Sequence, residues 1–284
     1  MTTVTQAPDD EPPSSTRISS AQSVGTDLVR ELWRYRELLY FLMWRDVKVR
    51  YRQTVLGVAW ALLQPTLTML IFTVFFGRLA RLPSDGVPYP LFALCGLMPW
   101  QIFSFSLTSS ANSLVSSERL VTRVYFPRLA VPVASVLGGT LDFAVALPVL
   151  IALLSWYGVP LSATVCVAPL LFLLAVTAAI AAGVGLSALN VRYRDVRHAL
   201  PFASQLWMFL TPIAYPASLV PAEWQALYGL NPMAGVVEGF RWALLGGRPF
   251  PVILVSTALV STLVGLYASV AYFRRVERGF ADVI

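Results

Sequence analysis

Residues 45–77 read RDVKVRYRQTVLGVAWALLQPTLTMLIFTVFFG, and the change of character inside this stretch decides the fold. It opens with Arg45, Lys48, Arg50 and Arg52 around Tyr51, and from Gln53 to Gly77 it carries no charge at all. About 20 apolar residues cross a bilayer as a helix, so the run 55–77 is long enough to span. The Arg and Lys residues crowded directly before it mark that side as cytoplasmic.

The rest of the chain has the same character. Of 284 residues 57% are hydrophobic and 13% charged, against about 25% charged in soluble domains, which excludes an ordinary globular protein. The net charge of +6 does not point to nucleic acid, because the basic residues sit at the ends of apolar runs. Cys95 and Cys166 fall inside apolar runs without metal-ligand spacing and read as small buried side chains. Residues 1–26, rich in Pro, Ser and Thr, read as a disordered cytoplasmic tail.

Upstream of the first span, residues 27–54 read as amphipathic helices in the cytoplasmic interface. Leu28, Leu32, Tyr35, Leu39 and Leu42 share one face, while Trp44, Val47 and Tyr51 form a stripe rotated from it, which predicts a break near Met43. Downstream, further spans are expected at about 89–111, 129–156, 161–189, 201–219 and 251–273, making an all-α, six-span domain over 55–273. Tyr157-Gly158-Val159-Pro160 supplies the turn between the third and fourth. Residues 221–246 are half apolar and punctuated by Gly229, Asn231-Pro232 and Gly246, so two short helices are expected there, dipping in and back out. With this topology 17 of the 21 Lys and Arg lie inside, so both termini, including the tail 274–284, are cytoplasmic.

Several residues stand out chemically. Asp142 is the one charge deep in the third and fourth spans, and needs a hydroxyl from the Ser104 to Ser113 cluster or an arginine reaching up from a cytoplasmic loop. Glu238 and Arg241, at i, i+3 in the second short helix, are spaced to pair. On the first span Trp60, Gln64, Thr68, Phe72 and Phe75 fall within a sector of about 120° at helical spacing. That mixture suits sugar rings and equally suits helix packing; Phe202 and Phe209 on the fifth span are its counterparts across a pore. Residues 117–126 form a short cytoplasmic helix, opened by Ser117 and stopped by Pro127. No G-x-x-x-x-G-K-[ST] motif occurs, no catalytic set can be assembled around the single histidine, His198, and no metal site is expected.

Three motifs, RYRQTVLGVAWALLQP from Arg50, RVYFPR from Arg123 and NVRYRDVRHAL from Asn190, resemble those of ABC-2 type permeases of polysaccharide-exporting ABC transporters, the group handling O-antigen, teichoic acid and capsule. The resemblance runs from about residue 28 to 280. It implies a homodimer in the cytoplasmic membrane, paired with a separate nucleotide-binding ATPase that holds the ATP and Mg, so that this chain carries no cofactor and no catalytic residue. The cargo implied is a polyprenol-linked glycan received from the membrane lipid. The ATPase would be met by Glu118, Leu120, Val121, Arg123, Val124, Tyr125, Phe126 and Arg128, with Arg192, Tyr193, Arg194 and Asp195 as a second cytoplasmic loop. A drug or lipid exporter, and a membrane-embedded transferase, are the other readings that remain open.

Overall fold

The computed structural model describes residues 30, 32–52, 59–123 and 126–280. The N-terminal tail expected over 1–26, the approach to the first span at 53–58, Val124, Tyr125 and the last four residues lie outside that set. Everything described is helix, turn or connecting chain.

Helix α1 covers Arg36–Arg52 and runs without interruption. The break expected near Met43 is not there; the irregularity falls at Tyr35 instead, between a helical turn at 32–34 and α1. The two stripes read as separate helices are one continuous buried face, Leu39, Leu42 and Val47, laid along the first half of α5 (Ala130–Trp156).

Among the described residues, five helices are long and apolar enough to cross a membrane: Ala59–Leu79, Tyr89–Ser116, Ala130–Trp156, Ala163–Arg192 and Val252–Gly279. The first comprises α2 (Ala59–Phe72) and a π-helical continuation, Thr73–Leu79. Next come α3 (Tyr89–Ser116), α4 (Glu118–Arg123) and α5. A 3-10 turn, Ala163–Val167, leads into α6 (Ala168–Arg192). The sequence expectation of a span at 201–219 is not met in that form. The helix there, α7, is Val196–Phe209, only 14 residues or roughly 21 Å. Beyond it the chain is irregular as far as a 3-10 turn at Ala217–Leu219. Two short helices, α8 (Ala222–Tyr228) and α9 (Pro232–Leu245), precede the final α10 (Val252–Val276).

The core is built around α3. Of the residues in its most apolar stretch 78% are buried, against 17% in the corresponding stretches of the first and last spans. It packs on α5 and α6 along its length, on α2 and α7 at its flanks and on α9 at its far end. Small residues let the helices approach closely: a Cβ on Gly183 of α6 would sit 2.6 Å from the Ser110 hydroxyl of α3, and one on Gly235 of α9 would run into the Leu254 carbonyl of α10. Of the two cysteines, Cys95 is buried in this core as expected, whereas Cys166 is exposed in the turn before α6.

Candidate functional site

At the end that carries the basic loops, the inner end in the topology expected from the sequence with the opposite end as the outer one, α1 is fastened to α5 by polar contacts as well as apolar ones. Asp142 lies twelve residues into α5, roughly 18 Å along its axis. Its carboxylate accepts a 2.7 Å bond from Arg50 and another from the Tyr51 hydroxyl. The partner is thus an arginine and not a hydroxyl of the serine cluster, but it comes from helix α1 rather than from a loop between spans. Burial, and then the Asp142 carboxylate, push the Tyr51 phenol up from its ordinary value, which keeps it a donor at neutral pH. One turn earlier, Asp46 accepts from Ser135 at 3.0 Å and pairs with Arg45.

The candidate channel faces are open in the chain: Trp60 is 50% exposed, Phe75 57%, Phe202 67% and Phe209 51%. Gln64 is exposed with them, and the Thr68 hydroxyl is spent on the Gln64 carbonyl at 2.8 Å. Phe72 is the exception. It is buried in the core with its ring 5.0 Å from that of Phe76, so it does not belong to the open face. The orientation of α7 is set by Ser204, hydrogen-bonded to Ser104 at 2.7 Å, and by Trp207, packed edge-on against Phe103 at 4.9 Å, which turns Phe202 and Phe209 outward. Helices α2 and α7 both lean on α3 and are not brought together within the protomer.

The inner loop between α3 and α5 departs from expectation. The helix α4 is described over Glu118–Arg123, Phe126 lies in a bend and not in the helix expected over 117–126, and the Ser117 hydroxyl accepts from Arg45 at 3.3 Å. Val121 and Phe126, read from the sequence as contacts for a partner, are buried in an apolar cluster with Leu39, Leu42, Leu129, Phe273 and Phe280, and Leu120 packs against it. Arg128 donates to the Glu277 carbonyl. Glu118, Arg119 and Thr122 form the exposed face. Val124 and Tyr125 lie outside the described residues. In the second loop Arg192, Tyr193, Arg194 and Asp195 are all exposed, with the Arg192 guanidinium 5.4 Å from the Tyr193 ring centre.

At the outer end Arg241 is a hub. It donates to the carbonyls of Pro212 at 2.6 Å, Ile213 at 2.8 Å and Phe92 at 3.3 Å, pairs with Glu238 at 3.0 Å and lies 3.5 Å over the Phe92 ring. Glu238 in turn accepts from the Ala217 amide at 2.8 Å. The pair expected from i, i+3 spacing is present, yet most of what Arg241 holds is the irregular chain after α7, which the sequence reading had taken for helix. Asn231 caps α9 as read, accepting from the Met233 amide at 3.1 Å. It also takes the Trp207 indole N–H at 2.9 Å and donates to Leu210 and Thr211, a bridging role the reading missed. Thr211-Pro212 and Tyr215-Pro216 were the signal for the interruption.

The long apolar helices and the basic loops at their ends define a helical, multi-pass membrane protein. Residues 37–245 match the family model for ABC-2 type transporter proteins, and the chain belongs to that family. It is 33% identical over 261 residues, 90% of this chain and 99% of the relative, to the O-antigen export system permease protein RfbA of Myxococcus xanthus. The polysialic acid transport protein KpsM of Escherichia coli is 25% identical over 238 residues, 83% of this chain and 92% of that one. The inner membrane transport permease YadH of Escherichia coli K12 is 26% identical over 215 residues, 72% of this chain and 84% of YadH. Family membership implies an ATPase partner.

Proposed function

We propose that the chain is the permease half of an ATP-driven exporter that moves a polyprenol-linked polysaccharide out of the cytoplasm. The observation that carries this is the likeness to an O-antigen export permease over 90% of the chain, joined by likeness to a polysialic acid transport protein. The aromatic faces of α2 and α7 support it. Trp60, Phe75, Phe202 and Phe209 offer flat apolar surfaces of the kind sugar rings stack on, and a second copy of the chain would bring two such pairs around one channel.

In this reading α7 is the sixth crossing, completed by the chain that Arg241 holds, and both termini are cytoplasmic. Helices α8 and α9 form a re-entrant hairpin at the outer face. The working unit is a homodimer with two ATPase subunits, which bind the ATP and Mg. The exposed face of α4 and the loop from Arg192 to Asp195 are where the ATPase docks. Reconstituting the permease with its ATPase and assaying lipid-linked glycans for stimulation of ATP hydrolysis tests the reading. A glycan of the O-antigen or capsule type should stimulate; stimulation by drugs or phospholipids alone would replace the cargo assignment.

A further inference from the structure

Between α1 and α3, with α5 as its floor, lies an open groove of about 460 Å³. Its α3 wall is one stripe, Phe105, Ser109, Asn112 and Ser116, spaced i, i+4, i+7 and i+11 on a single helical face. Helix α1 faces it with Arg45 and Arg50, which reach across as two rungs: Arg45 to the Ser117 hydroxyl at 3.3 Å, and Arg50 stacked 3.7 Å over the Phe105 ring. These are the hydroxyl-rich residues that end α3 and that neither the core nor the channel faces account for.

The chemistry of the groove is specific. Ser116 donates to the Ser113 carbonyl at 3.0 Å and Asn112 to the Thr108 carbonyl at 2.8 Å, while the Asn112 Oδ1 accepts from Asn190 at 3.2 Å, which leaves Ser116 an oxygen lone pair and Asn112 a second N–H for a ligand. The Ser109 hydroxyl makes no bond among the described residues. The charges cancel: Arg45 pairs with Asp46 at 2.9 Å and Arg50 with Asp142 at 2.7 Å. A phosphate entering here would meet the Asp46 carboxylate with no surplus cation to hold it. A sugar ring fits better, its hydroxyls matching the Ser and Asn groups and its apolar face the Phe105 edge.

From this balance we infer that the groove holds a neutral sugar, the carrier-proximal residue of the lipid-linked glycan, before it reaches the channel. The inference rests on the export reading and assigns that cargo a place to wait. The test uses the full permease–ATPase complex in lipid nanodiscs, with Ser109→Cys in a background where exposed Cys166 is Ser, and follows the rate of maleimide labelling. The probes are a polyprenyl diphosphate bearing one hexose, the same carrier bearing one N-acetylhexosamine, the carrier with no sugar, and phosphatidylglycerol. A ligand at ten times its Kd leaves roughly one site in eleven free, so labelling should slow about tenfold with a sugar-bearing carrier and stay unchanged with the other two.

Equal protection by the bare carrier or by phosphatidylglycerol would make this a phosphate or lipid site and overturn the inference. No protection, in a complex whose ATP hydrolysis still responds to lipid-linked glycan, would overturn it while leaving the export reading intact; loss of that response to every glycan tried would take both down. As a second arm, Ser109→Leu fills the groove, touches neither arginine rung and breaks no hydrogen bond among the described residues. It should raise the KM for lipid-linked glycan and leave the unfolding temperature of the complex in place, and an unchanged KM would count against the site.

Discussion

The two ends of the molecule each hold an acid–base pair, and they are built for opposite purposes. At the outer end Arg241 and Glu238 are 5% and 9% exposed, and the guanidinium is saturated by three carbonyls, a carboxylate and a ring. At the inner end Arg50 and Asp142 are 24% and 28% exposed, Arg50 lining the open groove, and their bond joins two helices that are also held by the Tyr51–Asp142 and Asp46–Ser135 bonds and by an apolar seam. A pair locked on every side fixes a shape. A pair reached by solvent is more readily broken and remade, and that suits the end where the proposed ATPase contact lies. The outer cluster is therefore a clamp and the inner one a latch.

The largest effect should come from breaking the clamp. Arg241→Ala leaves Glu238 buried without its counter-charge and strands the Pro212 and Ile213 carbonyls, at a cost of about 3–5 kcal/mol, read as a lower unfolding temperature of the purified protein and poorer yield. Spacing alone would suggest that exchanging Glu238 and Arg241 restores the pair. The structure argues otherwise, because a carboxylate at position 241 would face three carbonyl oxygens. The exchanged protein should be no more stable than Arg241→Ala, and recovery to near wild type would show that the carbonyl contacts carry little.

The latch should cost less. Asp142→Leu strands Arg50 and Tyr51 in a half-open site, a loss of about 1–3 kcal/mol, whereas Asp142→Asn keeps an acceptor and should fall at the lower end. A double-mutant cycle of Asp142→Asn with Arg50→Met measures the pair directly, with a coupling of about 0.5–3 kcal/mol expected for residues in contact. A coupling as large as that between Glu238 and Arg241 would erase the distinction between latch and clamp.

What the sequence made legible, and what it hid, follows the same division. Long apolar runs show where helices cross, a lone carboxylate shows that a partner must exist, and Asn-Pro or Gly marks where short helices begin and end. Contacts that depend on rotation about a helix axis are harder to read. Phe72 sits at the edge of the aromatic sector of the first span, and the π-helical stretch Thr73–Leu79 shifts the phase directly after it, so Phe72 turns into the core while Phe75 stays outside. The run 201–219 is uncharged and mostly apolar, and that alone does not reveal that the helix stops at Phe209, where Arg241 and Asn231 satisfy the freed carbonyls. Phe126 is a similar case. An aromatic in a basic cytoplasmic loop reads as a docking contact, and only its place against Leu39, Leu42 and Phe280 shows that it anchors the loop to this chain.

The smallest stability effect, and the sharpest separation of the two ends, is expected on α4. If the inner end is where motion enters, the ATPase must grip residues that the chain's own core does not use, and on α4 these are Glu118, Arg119 and Thr122. Arg119→Glu touches no apolar contact and should shift stability by no more than about 0.5 kcal/mol. It should still depress glycan-stimulated ATP hydrolysis or co-purification of the ATPase, because reversing a rim charge weakens association. Phe126→Ala should do the reverse, destabilising the permease through the cavity it leaves. Single cysteines at Glu118, Arg119 and Thr122 should then crosslink to the ATPase while one at Val121, 3% exposed, should not. Efficient capture at Val121 with silence at the other three would mean that α4 turns over when the ATPase binds, and the inner end would then move even before ATP is spent.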